Sequence, residues 1–156
     1  MKKIFLLTLV LALTSISFGQ RSVKKYLPKD VRGTIYFGMS FDEFAKKKDV
    51  KDLRFTDDNF RHVYVEDVDD DNLRNIVYYF DTDNDMPLYE IIFIYKDEAT
   101  RDAVAKNLLG KPNHKEKEWK FSHKKRKNFY AWTYQTKLIM MQPLKDTEWD
   151  GEEEGL

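Results

Sequence analysis

The sequence predicts an α+β fold with two layers, in which an antiparallel sheet of about six strands carries two helices on one face. Residues 74–80 and 88–95 are two apolar, β-branched and aromatic runs, and a polar turn segment separates them. This pattern is typical of a long β-hairpin. One segment with helix-capping signals precedes the hairpin and another follows it. Further apolar runs come after the second of these segments. The expected order of elements is therefore αβββ-αβββ.

The hairpin is predicted to form the centre of the sheet, because its second strand is apolar on both faces. The alternating side chains of that strand are Tyr89, Ile91, Phe93 and Tyr95 on one side, and Leu88, Ile92 and Ile94 on the other. Glu90 is the one charged residue among them. Strands of this kind are usually covered on both faces. We expect helices over one face, and aromatic side chains or a partner over the other.

The two helices are predicted from their capping residues. Ser40 and Glu43 have the spacing of a capping box at the start of the first helix. Asp97 is the expected N-cap of the second helix. Gly110 is its expected C-cap, and Pro112 prevents the helix from continuing.

Four further strands are predicted from alternating or continuous apolar patterns, at residues 60–68, 117–122, 128–133 and 138–141. Residues 53–55 are a candidate for a small additional strand. Pro143 ends the last predicted strand.

Residues 1–19 are predicted to be a cleaved Sec signal peptide. Two lysines precede an uncharged apolar run, and Ser17 and Gly19 are the small residues that a signal peptidase recognises, so we expect cleavage after Gly19. The uncharged run is shorter than the ~20 residues that a membrane-spanning helix needs. These features predict a periplasmic or secreted protein without a transmembrane segment.

The rest of the chain divides into three predicted parts. Residues 20–33 are interpreted as an extended basic arm, either a solvated extension or a membrane-surface contact, with basic residues Arg21, Lys24, Lys25, Lys29 and Arg32. Residues 34–145 are predicted to form a single α+β domain. Residues 146–156 are predicted to be an acidic and partly disordered tail.

Composition excludes several classes of function. The 27 basic residues balance the 27 acidic ones, so no overall field indicates binding to nucleic acid or to an anionic membrane. The chain has no cysteine, which excludes thiol catalysis, thiolate metal sites and a lipidated cysteine anchor. An exported chain without disulfides must be held together by its core, so most aromatic side chains are expected to be buried.

The acidic turn of the hairpin is a candidate calcium site. Asp81, Asp83 and Asp85 alternate as the first three ligands of a calcium loop do, and carboxylates on a tight turn can converge on a hard cation. Met86 and Ile92 stand where a calcium loop has glycine and glutamate, and strands flank the turn. An ordinary Asp/Asn turn explains the same residues, because their side chains bond their own backbone. We therefore expect no cofactor, with calcium as the alternative.

Two further features are candidate binding residues. Lys124, Lys125, Arg126 and Lys127 form a basic turn that can meet phosphate, an acidic glycan or an acidic partner. Charges at a hairpin tip also discourage edge-to-edge aggregation, which is the alternative explanation. Tyr130, Trp132 and Tyr134 form an aromatic stripe at strand spacing, suited to stacking on sugars, to an interface or to packing within the protein.

No catalytic constellation is evident in the sequence. His62, His114 and His123 lack metal-ligand spacing, and the chain contains neither a G-x-S-x-G elbow nor a glycine-rich phosphate loop. The acidic turns at 67–71 and 81–85 are expected at opposite ends of the sheet, too far apart for a glycosidase carboxylate pair. We therefore expect a protein without enzymatic activity.

The helix-bordering patches Phe37-Gly38-Met39-Ser40 and Leu109-Gly110-Lys111-Pro112 resemble those of BamE-like and β-lactamase-inhibitor-protein-like small envelope modules. The two patches are farther apart here than in the BamE-like pattern. The resemblance implies a non-catalytic periplasmic or secreted module that binds protein, and it assigns no functional residue. The predicted function is therefore an exported binding module of the cell envelope, with a protein or envelope component as partner. The alternative is a small carboxylate-based hydrolase or a calcium- or glycan-binding protein.

Overall fold

The computed structural model describes residues 23, 25–58, 60–82, 85–123 and 126–151. The strands within these ranges are β1 (Arg54–Asp58), β2 (Arg61–Asp67), β3 (Leu73–Asp81), β4 (Leu88–Tyr95), β5 (Glu118–His123), β6 (Arg126–Tyr134) and β7 (Lys137–Met141). The helices within them are α1 (Phe41–Ala45), α2 (Glu98–Leu109) and a 3-10 helix at Val50–Asp52. All seven strands belong to one antiparallel sheet, in the order β1-β2-β3-β4-β7-β6-β5.

The predicted two-layer α+β class is wrong, because the sheet dominates the fold. Seven strands form it rather than about six, and four of them precede α2, so the αβββ-αβββ order is also wrong. The helix α1 has only 5 residues and cannot form half of a helical layer. The additional strand is β1, an edge strand exposed at every residue. A strand that buries no side chain has no alternating apolar pattern, which is why the sequence indicates only a small candidate there.

The central hairpin is confirmed. β3 and β4 pair in antiparallel register from Leu73 with Tyr95 to Phe80 with Leu88. β4 then pairs with β7, so the most apolar strand has a neighbour on each side. Burial of nearly every residue of β4 agrees with its apolar sequence on both faces.

Both predicted helix caps are confirmed. The Ser40 hydroxyl accepts a hydrogen bond from the backbone N–H of Glu43, and the Asp97 carboxylate accepts one from Thr100 at 2.7 Å. Gly110 ends α2 with a φ of 76°, a conformation that side chains with a Cβ rarely adopt. No helix in the described ranges is both long and apolar enough to cross a membrane.

The main core lies on one face of the sheet, called the inner face below. Phe44 of α1 and Ala105 and Leu109 of α2 pack there against strand residues such as Tyr78 and Ile91. The helix α2 lies over β4 and β7. The inner face is therefore the side on which both described helices bury their apolar side chains.

The chain before α1 covers much of the rest of the inner face. Its fully or almost fully buried residues are Leu27, Val31, Ile35, Phe37 and Met39. The prediction of an extended basic arm at 20–33 therefore differs from the structure in its described part, because turns at 25–34 carry Leu27 and Val31 into the core. Lys29, Asp30 and Arg32 are exposed, as expected of charged residues. The predicted signal peptide at 1–19 lies outside the described residues.

Candidate functional site

The opposite side of the sheet, called the outer face below, carries a second apolar cluster. Neither α1, α2 nor the 3-10 helix contributes to it. Its buried centre and partly buried surroundings are Val77, Ile92 and Ile139, with Val63, Val65, Tyr79, Ile94 and Trp132.

The strand registers place part of this cluster in a single row across the whole sheet. In the spatial order of the strands, from the β1 edge to the β5 edge, the residues of the row are Arg54, Val65, Val77, Ile92, Ile139, Trp132 and Glu118. Five consecutive members are apolar, and the two edge strands supply one residue of each charge. Neighbours in such a row have Cβ atoms about 4.5–5.5 Å apart. The row is therefore a continuous line of apolar side chains with a buried centre and a charged residue at each end.

Residues 143–151, called the C-terminal strap below, fold back over one part of the outer face. Internal hydrogen bonds from Thr147 to the Leu144 carbonyl and from the Asp150 amide to Thr147 hold it in a compact turn. Trp149 of the strap packs against Trp132 in an edge-to-face arrangement, with ring centroids 6.2 Å apart. Residues 146–151 of the strap belong to the segment predicted as an acidic and partly disordered tail, and residues 152–156 of that segment lie outside the described ones.

Glu90 anchors the strap to the sheet. Its side chain lies on the outer face of β4, where it accepts a hydrogen bond of 3.1 Å from the indole N–H of Trp149. Glu90 is only 6% exposed. Burial raises the pKa of the Glu90 carboxyl to about 7; the nearby Glu148 carboxylate acts in the same direction, and the Trp149 hydrogen bond acts against it. A carboxyl group with this pKa exists in both protonation states near neutral pH.

A β-bulge brings a second group to the strap. Tyr79 pairs with Glu90 and Phe80 with Leu88, so Tyr89 is an extra residue in β4. The Tyr89 hydroxyl donates a hydrogen bond of 2.7 Å to Glu148. Burial and this bond raise the pKa of Tyr89, so the phenol stays protonated.

Glu148 also forms an ion pair with Arg61 of β2, at 3.3 Å. The guanidinium of Arg61 in turn lies 4.9 Å from the ring centroid of Tyr79. Two adjacent strap residues, Glu148 and Trp149, are therefore bound to side chains of the sheet.

The aromatic stripe lies on the outer face, away from both helices. Tyr130 and Trp132 line a pocket of about 260 Å³ at the β5–β6 edge, whose other main lining residues are Lys115, Glu118, Trp119 and Trp149. Tyr134 belongs to the same stripe but lies outside this pocket and is 58% exposed. The structure therefore brings two of the three predicted stripe residues together with Trp149, which the sequence did not indicate.

The basic turn lies largely outside the described residues. Lys124 and Lys125 lie outside the described residues, whereas Arg126 and Lys127 belong to the first part of β6. The binding role predicted for these four residues stays a prediction.

The acidic turn is partly described. Asp81 ends β3 and is buried, and Asp85 lies beside Ser40 and Asp42 around a polar cavity of about 330 Å³. Asp83 lies outside the described residues. Within the described ranges, no three His, Asp or Glu side chains are grouped so that they can hold a metal ion. The predicted calcium site stays a prediction, because one of its three proposed ligands is not described.

Sequence reasoning missed Glu90, Glu148, Arg61 and Trp149 as members of one site. The signal for Glu90 was present, since it is the one charged residue in an otherwise apolar strand, and a buried charge usually has a specific partner. Trp149 carried a weaker signal as the one aromatic residue of an acidic segment. Nothing in the local sequence links the two, because 59 residues separate them.

No protein-family model, no curated protein and no solved structure matches this chain. The resemblance to BamE-like modules stays a prediction.

Proposed function

We propose that the protein is an exported binding module of the cell envelope, without enzymatic activity, that holds a protein or another envelope component on its outer face. The observation that carries this proposal is the apolar row from Val65 to Trp132, which crosses the sheet on the side away from both helices. The accessible apolar surface of the row lies mainly on its partly buried members Val65 and Trp132, since its three central residues are only 7–8% exposed, and burial of that surface against a partner favours association.

The character of the row supports a macromolecular partner. Its apolar residues follow one another over five neighbouring strands, a span of about 19 Å at the usual strand spacing. Arg54 and Glu118 at its ends form ion pairs with Asp67 and Lys115, so the row has a polar border on each side. An apolar centre with a charged rim is the general pattern of protein interfaces.

The chemistry of the strap supports binding rather than catalysis. Glu90 has a pKa near neutrality, but its carboxylate is almost fully buried and receives the Trp149 indole N–H. Glu148 is likewise bound to Tyr89 and Arg61. Both carboxylates therefore act in holding the strap, and a catalytic acid needs its proton within reach of a substrate.

The proposal is tested by site-specific photocrosslinking in the cells that produce the protein. A photoreactive amino acid is placed at Val65 or Ile94 on the outer face and, as a matched control, at Lys106 on the exposed side of α2. Crosslinked products are identified by mass spectrometry. We expect the same envelope component at both outer-face positions, its absence at position 106, and its loss when Val63→Lys is added.

An absence of products at the outer face, or identical products at position 106, contradicts the proposal. Export is tested separately by N-terminal sequencing of the mature protein. A first residue of Gln20 supports the predicted cleavage after Gly19, whereas an intact Met1 on a cytoplasmic protein contradicts export.

A further inference from the structure

We propose that the pocket lined by Tyr130 and by the contacting rings of Trp132 and Trp149 binds one pyranose ring of a glycan, so that the outer face recognises a saccharide at its β5–β6 corner. This inference rests on the proposed function, because it takes the outer face as the binding surface and specifies the class of ligand at one place on it.

The walls of the pocket are aromatic. The Trp132 and Trp149 rings meet at an interplanar angle of 69°, and Tyr130 lies next to them. The face of an aromatic ring is electron-rich, so it attracts the polarised C–H groups that cover one side of a pyranose ring. A pyranose ring in the pocket lies against this pair of contacting indole rings and beside Tyr130.

The size of the pocket fits a single ring. Its volume is about 260 Å³. Pockets for drug-sized ligands usually measure about 300–1,000 Å³, so this one lies just below that range. A longer glycan would place one residue in the pocket and continue over the apolar row or into solvent.

The rim of the pocket offers partners for hydroxyl groups. Lys115 and Glu118 form an exposed ion pair at 3.5 Å, one a donor and the other an acceptor. The ammonium of Lys120 lies 5.0 Å from the ring centroid of Tyr130, a residue that lines the pocket. A sugar hydroxyl both donates and accepts, so it can bond to either member of this pair.

A second cavity of the molecule has a lining that is suited to an aliphatic ligand. It has about 330 Å³, and Leu73, Val104 and Leu108 are among its lining residues, below the exposed charges of the N-terminal segment. Its apolar lining is mainly aliphatic, whereas that of the outer-face pocket is mainly aromatic. The contrast favours a ring-shaped, hydroxylated ligand in the outer-face pocket.

The hydrogen bond from Trp149 to Glu90 supports a role for the Trp149 side chain in the proposed pocket. A carboxyl group is buried on β4, where a strand of this composition would otherwise carry an apolar residue, and it accepts the Trp149 indole N–H. Burying a carboxyl group is unfavourable, and such costs are concentrated at functional sites. Glu90 is thus a positioning residue for the proposed pocket.

The experiment uses the intrinsic fluorescence of the mature protein, which contains Trp119, Trp132 and Trp149. N,N′-diacetylchitobiose, cellobiose, maltose and lactose are titrated in turn, with cyclohexanol as a non-saccharide ring. We expect at least one disaccharide to change the emission saturably with a Kd of about 1 mM or below, the range of weak but specific ligands. Cyclohexanol is expected to leave the emission unchanged.

Five variants identify the site. Trp149→Ala and Trp132→Phe are expected to weaken binding at least about tenfold and about threefold, while Tyr134→Ala, in the same stripe but outside the pocket, keeps wild-type affinity. Glu90→Leu should weaken binding because Trp149 loses its anchor. Glu90→Gln should retain it, because the amide oxygen still accepts the indole N–H. Thermal melting of each variant shows that it is folded.

The outcomes separate this inference from the proposed function. No saturable change with any disaccharide, equal binding of cyclohexanol, or equal loss in Tyr134→Ala overturns the saccharide site. If the saccharide site is overturned in this way but outer-face crosslinks to an envelope protein still form, the proposed binding function stands without the saccharide site. Saccharide binding that is lost in Trp149→Ala supports the site, even where no crosslink forms along the apolar row.

Discussion

The two faces of the sheet are covered in different ways. Over the inner face lie the N-terminal segment, α1 and α2, so residues such as Phe80 and Phe93 are fully buried. On the outer face, the strap covers one part, and neighbouring side chains shield the row elsewhere, leaving Ile92 and Ile139 8% exposed. The inner face therefore carries most of the core, and the accessible apolar surface of the outer face belongs to the partly buried residues around the centre of the row.

The carboxylates of the two faces also differ. On the inner face, Glu66 is bound by the Lys48 ammonium at 2.7 Å and by the Tyr78 hydroxyl at 2.6 Å. On the outer face, Glu90 receives the neutral indole N–H of Trp149. A cation compensates a buried negative charge better than a neutral donor does. The difference indicates that the negative charge of Glu90 is less well compensated than that of Glu66, so ionisation of Glu90 lowers the stability of the folded protein.

The largest expected change in the free energy of unfolding comes from a comparison of two neighbouring residues of the same type. Ile91 lies on the inner face and is 0% exposed, whereas Ile92 lies on the outer face. We expect Ile91→Ala to lower the free energy of unfolding by about 4 kcal/mol and Ile92→Ala by about 2 kcal/mol, because the outer site can relax towards solvent. Urea unfolding with unchanged m-values measures both. Equal losses would show that the outer face is packed as tightly as the inner one.

The next largest expected effect is a pH dependence of the free energy of unfolding, which is caused by Glu90. Its pKa is raised from 4.5 to about 7 in the folded protein. The folded state therefore holds a proton that the unfolded state has released, and the free energy of unfolding falls as pH rises from about 5 to about 8. The difference of about 2.5 pKa units corresponds to at most about 3 kcal/mol.

The control for this dependence is Glu90→Gln, which keeps an acceptor for Trp149 and removes the titrating group. Urea unfolding at a series of pH values should show a smaller decline in the variant than in the wild-type protein. Parallel curves for the two proteins would assign the decline to other groups.

A smaller effect is expected at the cap of α1, which holds Phe44 against the inner face. Ser40→Ala removes the acceptor for the Glu43 amide and should lower the free energy of unfolding by about 1 kcal/mol. Ser40→Asp keeps an acceptor at the cap and is expected to be close to neutral. If Ser40→Ala costs nothing, the cap is not needed to hold α1 on the inner face.

The smallest effect is expected at the exposed end of the aromatic stripe. Tyr134 is 58% exposed on the outer face. Tyr134→Ala should change the free energy of unfolding by no more than about 0.5 kcal/mol, as exposed positions usually do. A loss above about 2 kcal/mol, measured by the same unfolding experiment, would show that this part of the outer face is buried in solution, as in a dimer.

Part of the candidate site could be predicted from the sequence. The alternation of Tyr130 and Trp132 placed them on one face of one strand, which the structure bears out. The residue that completes their pocket, Trp149, belongs to a segment without a periodic pattern. Its position depends on Glu90, and no rule based on neighbouring residues relates a strand to a strap 59 residues later.

The sequence by itself determined the central hairpin, both helix caps and the end of α2, because each depends on residues within a few positions of one another. Only the tertiary structure decided that β1 extends the sheet, that β7 lies between β4 and β6, and that the strap crosses the outer face. These features arise from pairing and burial between distant segments. An exposed edge strand such as β1 and an irregular strap such as residues 143–151 have no apolar periodicity of their own.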